Sequence, residues 1–339
     1  MADFFKSAMQ EVARLTQAGR VAEATALVQR AMGLSGAADG DAAVIEGECR
    51  RVDPAAASGG EIAHGRWIED SFANTAGVRR YRLYLPERAD GLVVMLHGCG
   101  QGPEDFATAT RMHLCAAAQG LATLYPAQSS EANGASCWNW YEPADQGRDR
   151  GECAILAGMT EAVMMAHGLD DRRIYIAGLS AGGAMAATLA AAYPERYVAL
   201  GVHSGLPAGC AHDLISAMTV MRQGASPPAH GPLPACPTIV FHGDRDTRVN
   251  PSNALALIAQ ARAGAIQGAV EIERGCAPAG LAFSRTCYPQ VAGRAEAELW
   301  LVHGAGHGWS GGAAEASYTE PRGPDASSEM LRFFLRHAR

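Results

Sequence analysis

No window of this 339-residue sequence supplies an apolar run long enough for a membrane-spanning helix, which needs about 18 uninterrupted residues. No stretch gathers lysine and arginine into a basic face either, and 28 Lys+Arg against 35 Asp+Glu leave a net charge of −7. Together these absences exclude a membrane span and argue against nucleic acid as a partner. The nine cysteines include no C-x-x-C pair, so neither a zinc ribbon nor a disulfide-dense scaffold is indicated. Cys276 and Cys287 could bridge in an oxidising compartment, but reduced, buried thiols are the expectation. At the amino terminus, Asp3, Lys6, Glu11, Arg14 and Arg20 interrupt the apolar residues and leave no run of signal-peptide length. As written, the chain is expected to stay in the cytoplasm.

What is present describes a globular chain with ample core: 48% of residues are hydrophobic and 19% charged. Apolar positions at helical spacing on either side of Gly19 predict a helical hairpin over residues 1–33, docked on the main body or used for dimerisation. Residues 34–60, rich in Gly, Ala and Asp without a clear period, read as a linker. From residue 61 to 339 short apolar strands alternate with helices. The expected strands include "EIAHGRWIED", "VRRYRLYLPE", "GLVVMLHG", "LATLYPA", "IYIAG", "YVALGVHSG", "PTIVFHG" and "AELWLVHG". Helices are expected over 104–118, 152–167 and 252–263 and after Asp325, with a long loop from about 128 to 150. The fold class is α/β, a mostly parallel sheet covered by helices on both faces. Ligands of such sheets collect at the carboxyl ends of the strands.

One strand end carries "GLSAGG", a serine between glycines where a strand gives way to an alanine-rich helix. Such a G-x-S-x-G elbow pushes Ser180 out of the sheet beside a positive helix end. A serine is a poor nucleophile alone and requires a base and an orienting acid. The strand "GLVVML" ends in "HGCGQG", where the backbone N–H of Cys99, with that of Ala181 after the serine, could form an oxyanion hole. His97 would help hold that loop. Cys99 as a nucleophile is disfavoured, because nothing marks a base for it. The strand "PTIVFHG" leads into Asp244 and Asp246. Asp246 is preferred as the acid because it has room to swing toward the elbow, whereas Asp244 abuts the glycine turn. The strand "AELWLVHG" leads to His303 and His307. His307, on a glycine-flanked loop, is preferred as the base, and His303, His242 and His203 read as structural.

Taken together, "LHGCGQ", "CWNWY", "GLSAGGAMA", "FHGDRDTRVNPSNA" and the segment that runs from "GAGHGWSGG" to "MLRFFL" resemble the polyhydroxybutyrate depolymerase family of esterases. The resemblance spans roughly residues 65–339. It implies an α/β-hydrolase fold, with Ser180 as nucleophile, His307 as base, Asp246 as its partner and the Cys99 and Ala181 amides as oxyanion hole. It further implies that Trp138, Trp140 and Trp309 contact substrate. The expected chemistry is acyl transfer without metal or organic cofactor, on short 3-hydroxyacyl esters or polyester. The alternatives are a feruloyl or acetylxylan-type carbohydrate esterase and a non-catalytic polyester-granule binding protein acting through residues 1–33.

Overall fold

Runs such as "GLVVML" and "IYIAGL" carry no polar alternation, so the strands they form must be covered on both faces. The computed structural model describes Arg14 and residues 65–225, 236–262, 270–290 and 295–338. Apart from Arg14, which lies in a helix, the expected hairpin and linker fall outside the described residues. Ten strands form one sheet: β1 (Gly65–Asn74), β2 (Gly77–Pro86), β3 (Gly91–Leu96), β4 (Leu121–Pro126), β5 (Ile174–Leu179), β6 (Ala199–His203), β7 (Thr238–Gly243), β8 (Glu271–Cys276), β9 (Ala282–Tyr288) and β10 (Ala297–Val302). Their order is β1-β2-β4-β3-β5-β6-β7-β10-β9-β8. From β4 through β10 the pairings are parallel, and antiparallel strands close each edge.

The helices are α1 (Pro103–Thr110), α2 (Met112–Ala117), α3 (Gly151–His167), α4 (Ala181–Ala192), α5 (Leu214–Gln223), α6 (Ser252–Ala261) and α7 (Ala326–Leu335). Strand β3 shows how they divide. Leu92, Val94 and Leu96 join one core with α3, α4 and α6, while Val93 and Met95 join the other with α1, α2 and α7. Among the described residues no helix is long and apolar enough to cross a membrane.

Two expectations need correction. The helix expected over 104–118 is two helices, because Arg111 adopts φ 50° and its amide caps α1 on the Ala107 carbonyl. Strands β8 and β9 and helix α5 were not expected. The β8–β9 register agrees with the expectation that Cys276 and Cys287 do not bridge each other: Cys276 lies opposite Ala282 and Cys287 opposite Glu271. That offset spans about 16 Å at the usual rise per residue, far beyond disulfide reach.

The parallel core aims the ends of β3, β5, β7 and β10 at one edge of the sheet, and the tightest contact there is the Gly182 backbone against the end of β3. A Cβ on Gly182 would lie 2.1 Å from the Leu96 carbonyl oxygen, and one on Gly178 would lie 2.4 Å from the Gly182 backbone. Gly182→Ala should therefore destabilise the protein by about 3 kcal/mol, read from urea unfolding. A variant with wild-type stability would show that this approach is not tight.

Candidate active site

The turn from β5 into α4 holds Ser180 at φ 56° and ψ −120°, a conformation that L-residues rarely adopt and that costs about 1–3 kcal/mol. Its amide donates to the His203 carbonyl at 2.9 Å, which keeps the backbone in the sheet ladder up to the elbow. The side chain therefore projects beyond the sheet into a cavity of about 300 Å³, which His307 and Cys99 also line. Among the described residues the Ser180 hydroxyl has no hydrogen-bond partner, so its oxygen is open to the cavity.

His307 stands on the loop after β10. Its Nδ1 lies 2.7 Å from Asp246 Oδ2, leaving Nε2 as the nitrogen free to serve the cavity. Asp246 follows β7 and is fully buried as a side chain. Its Oδ1 accepts the amides of Arg248 and Val249, each at 2.9 Å. A second imidazole also borders it: His242 Nε2 lies 3.4 Å from Oδ2 and 2.9 Å from the Val249 carbonyl. Burial alone would raise the carboxyl pKa, but the hydrogen bonds from His242 and His307 outweigh it and hold Asp246 well below the usual carboxylate range. The acid is thus a fixed anion that selects the Nδ1–H tautomer of His307 and would stabilise its protonated form. His242, which the sequence reads as structural, is thereby packed against Asp246; its only signal for that place is its position four residues before the acid.

The other carboxylate on this loop has its own partner. Asp244 Oδ2 lies 3.0 Å from His303 Nδ1, and His303 Nε2 lies 2.8 Å from Ser284 Oγ. Asp244 Oδ1 accepts the Gly304 amide at 2.7 Å. This second serine–histidine–aspartate set anchors the base of the loop that carries His307. None of its three residues lines the cavity. His203, behind the elbow, accepts the Ser310 amide at 2.9 Å, and burial keeps its pKa well below the ordinary value.

The loop after β3 is fastened from several sides. His97 Nδ1–H donates to the Gly98 carbonyl at 2.8 Å, and His97 Nε2 accepts the Gln128 amide at 3.1 Å. Gln101 Oε1 accepts the Gly98 amide at 3.0 Å. Cys99 is bonded to Cys137, which corrects the expectation of reduced thiols at these two positions and removes the Cys99 sulfur as a nucleophile. The pairing arises because the loop at 128–150 folds back onto this one: the Gly100 amide donates to the Ala135 carbonyl at 3.0 Å and Trp138 Nε1 to the His97 carbonyl at 3.1 Å. Buried Glu152 supports that loop in turn, accepting from Arg79, Gln128 and Asn139. Among the described residues the amides of Cys99 and Ala181 have no hydrogen-bond partner. Ala181 is the first residue of α4, where an amide has no acceptor within the helix.

The tryptophans do not line the cavity. Trp138 and Trp309 are fully buried and Trp140 is 5% exposed. Trp138 packs on the His97 ring; Trp309 stacks on His203 and donates from Nε1 to Ser327 Oγ at 3.0 Å. Trp140 meets Tyr141 edge to face. Each indole fastens a loop to the body, so the expected substrate contacts at Trp138, Trp140 and Trp309 are corrected to packing roles. The walls are instead Leu179, Met218, Met221 and Tyr318, with Arg222, Thr247 and Arg248 at the same cavity. Sequence reasoning missed these residues, and an exposed methionine on an unexpected helix leaves little signal.

Comparison with known proteins adds the family. Residues 79–275, more than half of the chain, match the family described as Esterase PHB depolymerase. The chain belongs to this esterase family. Within it, the chain is 33% identical over 174 residues to poly(3-hydroxyalkanoate) depolymerase C of Paucimonas lemoignei, covering 48% of this chain and 42% of that protein. It is 30% identical over 142 residues to feruloyl esterase B of Thermothelomyces thermophilus, covering 41% of this chain and 47% of that protein. The chain thus spans about half the length of the curated relatives it matches. An acetyl xylan esterase from Aspergillus awamori has the same α/β-hydrolase fold, with TM-score 0.60 at 19% identity over 80% of this chain and 99% of the other.

The neutral His97 ring links this site to pH. Burial pushes its pKa from the ordinary 6.5 down to about 4, against the raising effect of the Gly98 carbonyl. Between those values the unfolded chain binds more protons, so stability is complete above about pH 6.5 and falls as pH drops toward 4. The His97 contribution to that loss is about 3 kcal/mol. Urea unfolding from pH 4 to 7 should show a shallower pH dependence for His97→Asn than for the wild type; identical slopes would contradict this assignment.

Proposed function

We propose that this chain is a serine carboxylic ester hydrolase acting on short-chain 3-hydroxyacyl esters through an acyl-enzyme. One observation carries the reading: Ser180, on a strained elbow, shares a cavity with His307, whose far nitrogen is held at 2.7 Å by buried Asp246. In the first step Ser180 Oγ attacks the ester carbonyl carbon while His307 Nε2 takes its proton, and Asp246 stabilises the resulting imidazolium. The oxyanion is received by the amides of Cys99 and Ala181. As the bond to the alcohol oxygen breaks, His307 returns the proton to the leaving group. Water, activated by the same imidazole, then releases the acid and restores Ser180.

The substrate class follows from the walls. A cavity of about 300 Å³ faced by Leu179, Met218, Met221 and Tyr318 suits a short apolar acyl chain. The match to a poly(3-hydroxyalkanoate) depolymerase supports hydroxyacyl units. A second reading, a carbohydrate esterase releasing ferulate or acetate, draws support from the feruloyl esterase and acetylxylan esterase relatives. Turnover of hydroxybutyrate oligomers against methyl ferulate and acetylated xylan separates the two. The Cys99–Cys137 bond favours work in an oxidising compartment over the cytoplasm.

With p-nitrophenyl butyrate as substrate, Ser180→Ala should lower kcat on the order of 10⁴-fold or more, and Asp246→Asn on the order of 10³-fold or more. Far-UV circular dichroism should stay as in the wild type. Near-normal turnover by Ser180→Ala would overturn the assignment.

A further inference from the structure

Although the chain carries a net charge of −7, the cavity beside Ser180 is lined by two arginines, Arg222 and Arg248, and by no carboxylate. Elsewhere arginines such as Arg148, Arg172 and Arg332 pair with acidic side chains. The guanidinium groups of Arg222 and Arg248 make no ion pair and no side-chain hydrogen bond among the described residues. Arg248 lies 5.2 Å over the Tyr318 ring, a contact that orients a cation without neutralising it. Arg222 stands in the last turn of α5, and its carbonyl accepts from Asn250 Nδ2 at 3.0 Å. The neighbouring Met221 carbonyl accepts the Asn250 amide at 2.7 Å. Asn250 is two residues beyond Arg248 on the Asp246 loop, so the two arginines are carried by segments tied to each other and to the catalytic acid.

We propose that Arg222 and Arg248 form a carboxylate-recognition subsite, so that the preferred substrate is an ester whose leaving alcohol carries a free carboxylate. The proposal rests on the esterase reading above and deepens it. In an oligomer of a 3-hydroxyacid, the one free carboxylate belongs to the terminal unit, whose hydroxyl is esterified to the next carbonyl. Two carbons separate that ester oxygen from the carboxylate, a reach suited to a cavity of about 300 Å³. Attack by Ser180 on this last ester forms the acyl–Oγ bond and breaks the bond to the terminal hydroxyacid. That unit leaves with the His307 proton on its hydroxyl and its carboxylate unchanged. Guanidinium groups suit the task because their planar donors match carboxylate geometry, and positive charge at the mouth of a net-negative protein steers anions inward. An uncharged polymer interior, an acetylated sugar or a simple alkyl ester offers nothing for the pair to hold. The expected activity is therefore removal of hydroxyacid units from the acid end of soluble oligomers.

The test compares kcat/KM for the 3-hydroxybutyrate dimer as its free acid with that for its methyl ester, using p-nitrophenyl butyrate as a neutral reference. The wild type should prefer the free acid, chiefly through KM, and added salt should shrink the preference. Arg222→Gln and Arg248→Gln should each lower the ratio of free acid to methyl ester about tenfold, and the lysine variants should recover part of it. As a binding measurement on unaltered protein, free 3-hydroxybutyrate should inhibit p-nitrophenyl butyrate hydrolysis competitively and more strongly than its methyl ester. A wild-type ratio at or below one, glutamine variants that keep the wild-type ratio, or equal inhibition by acid and ester would each overturn the subsite while leaving the esterase reading standing. Failure to hydrolyse p-nitrophenyl butyrate and both dimers would instead remove the esterase reading, and the subsite with it.

Discussion

At Gly178 and Gly182 two backbones pass so closely that no side-chain atom fits between them, and the rest of the site is arranged around that contact. It lets α4 start directly on the end of β5, against the carbonyls that close β3. The connection has no room for a relaxed turn, so Ser180 takes a left-handed φ and its oxygen leaves the plane of the sheet. The same start leaves the Ala181 amide, beside the serine, without a partner among the described residues. Backbone crowding thus accounts together for a displaced serine oxygen and an open amide beside it.

A second layer of structure fixes what faces the serine. The loop after β3 is held by the neutral His97 ring, the Gln101 side chain, the Cys99–Cys137 bond and the buried indole of Trp138. The loop after β10 is held by Asp244 through His303 and the Gly304 amide and by Asp246 through His307. The tryptophans near the site work from behind, in the core, and the cavity itself is faced by methionines, a tyrosine and two arginines. Rigid backing with an adaptable, partly cationic wall suits chemistry that needs fixed geometry at the ester and selectivity at its ends.

The parts of this arrangement legible in the sequence are those with a one-dimensional signal. Strands buried on both faces must be unbroken apolar runs, so β3 to β7 and β10 stand out, and the loops at their ends follow from chain order. The elbow is legible because its glycines are a steric necessity at fixed spacing. Strand β8, "EIERGC", lies on the sheet edge and carries charges, so it has no such run. Helix α5 leaves Leu214, Ile215 and Met218 exposed, which obscures its buried face. Asp244 and Asp246, like His303 and His307, are equivalent in composition; only the folded register decides which carboxylate meets which imidazole. The Cys99–Cys137 bond and the burial of Trp138 depend on a fold-back of the 128–150 loop, and the burial of Trp309 on its stacking against His203; no local pattern records either.

Under the proposed mechanism Ser180, and not Ser284 or a cysteine, carries the acyl group during turnover. Rapid acid quench of the protein with excess p-nitrophenyl butyrate, followed by peptide mass spectrometry, reads this directly. A butyryl adduct is expected on the peptide containing Ser180, forming with the first turnover and absent from Ser180→Ala. Turnover with the adduct on Ser284 or on a cysteine, or an adduct that persists unchanged in Ser180→Ala, would contradict it.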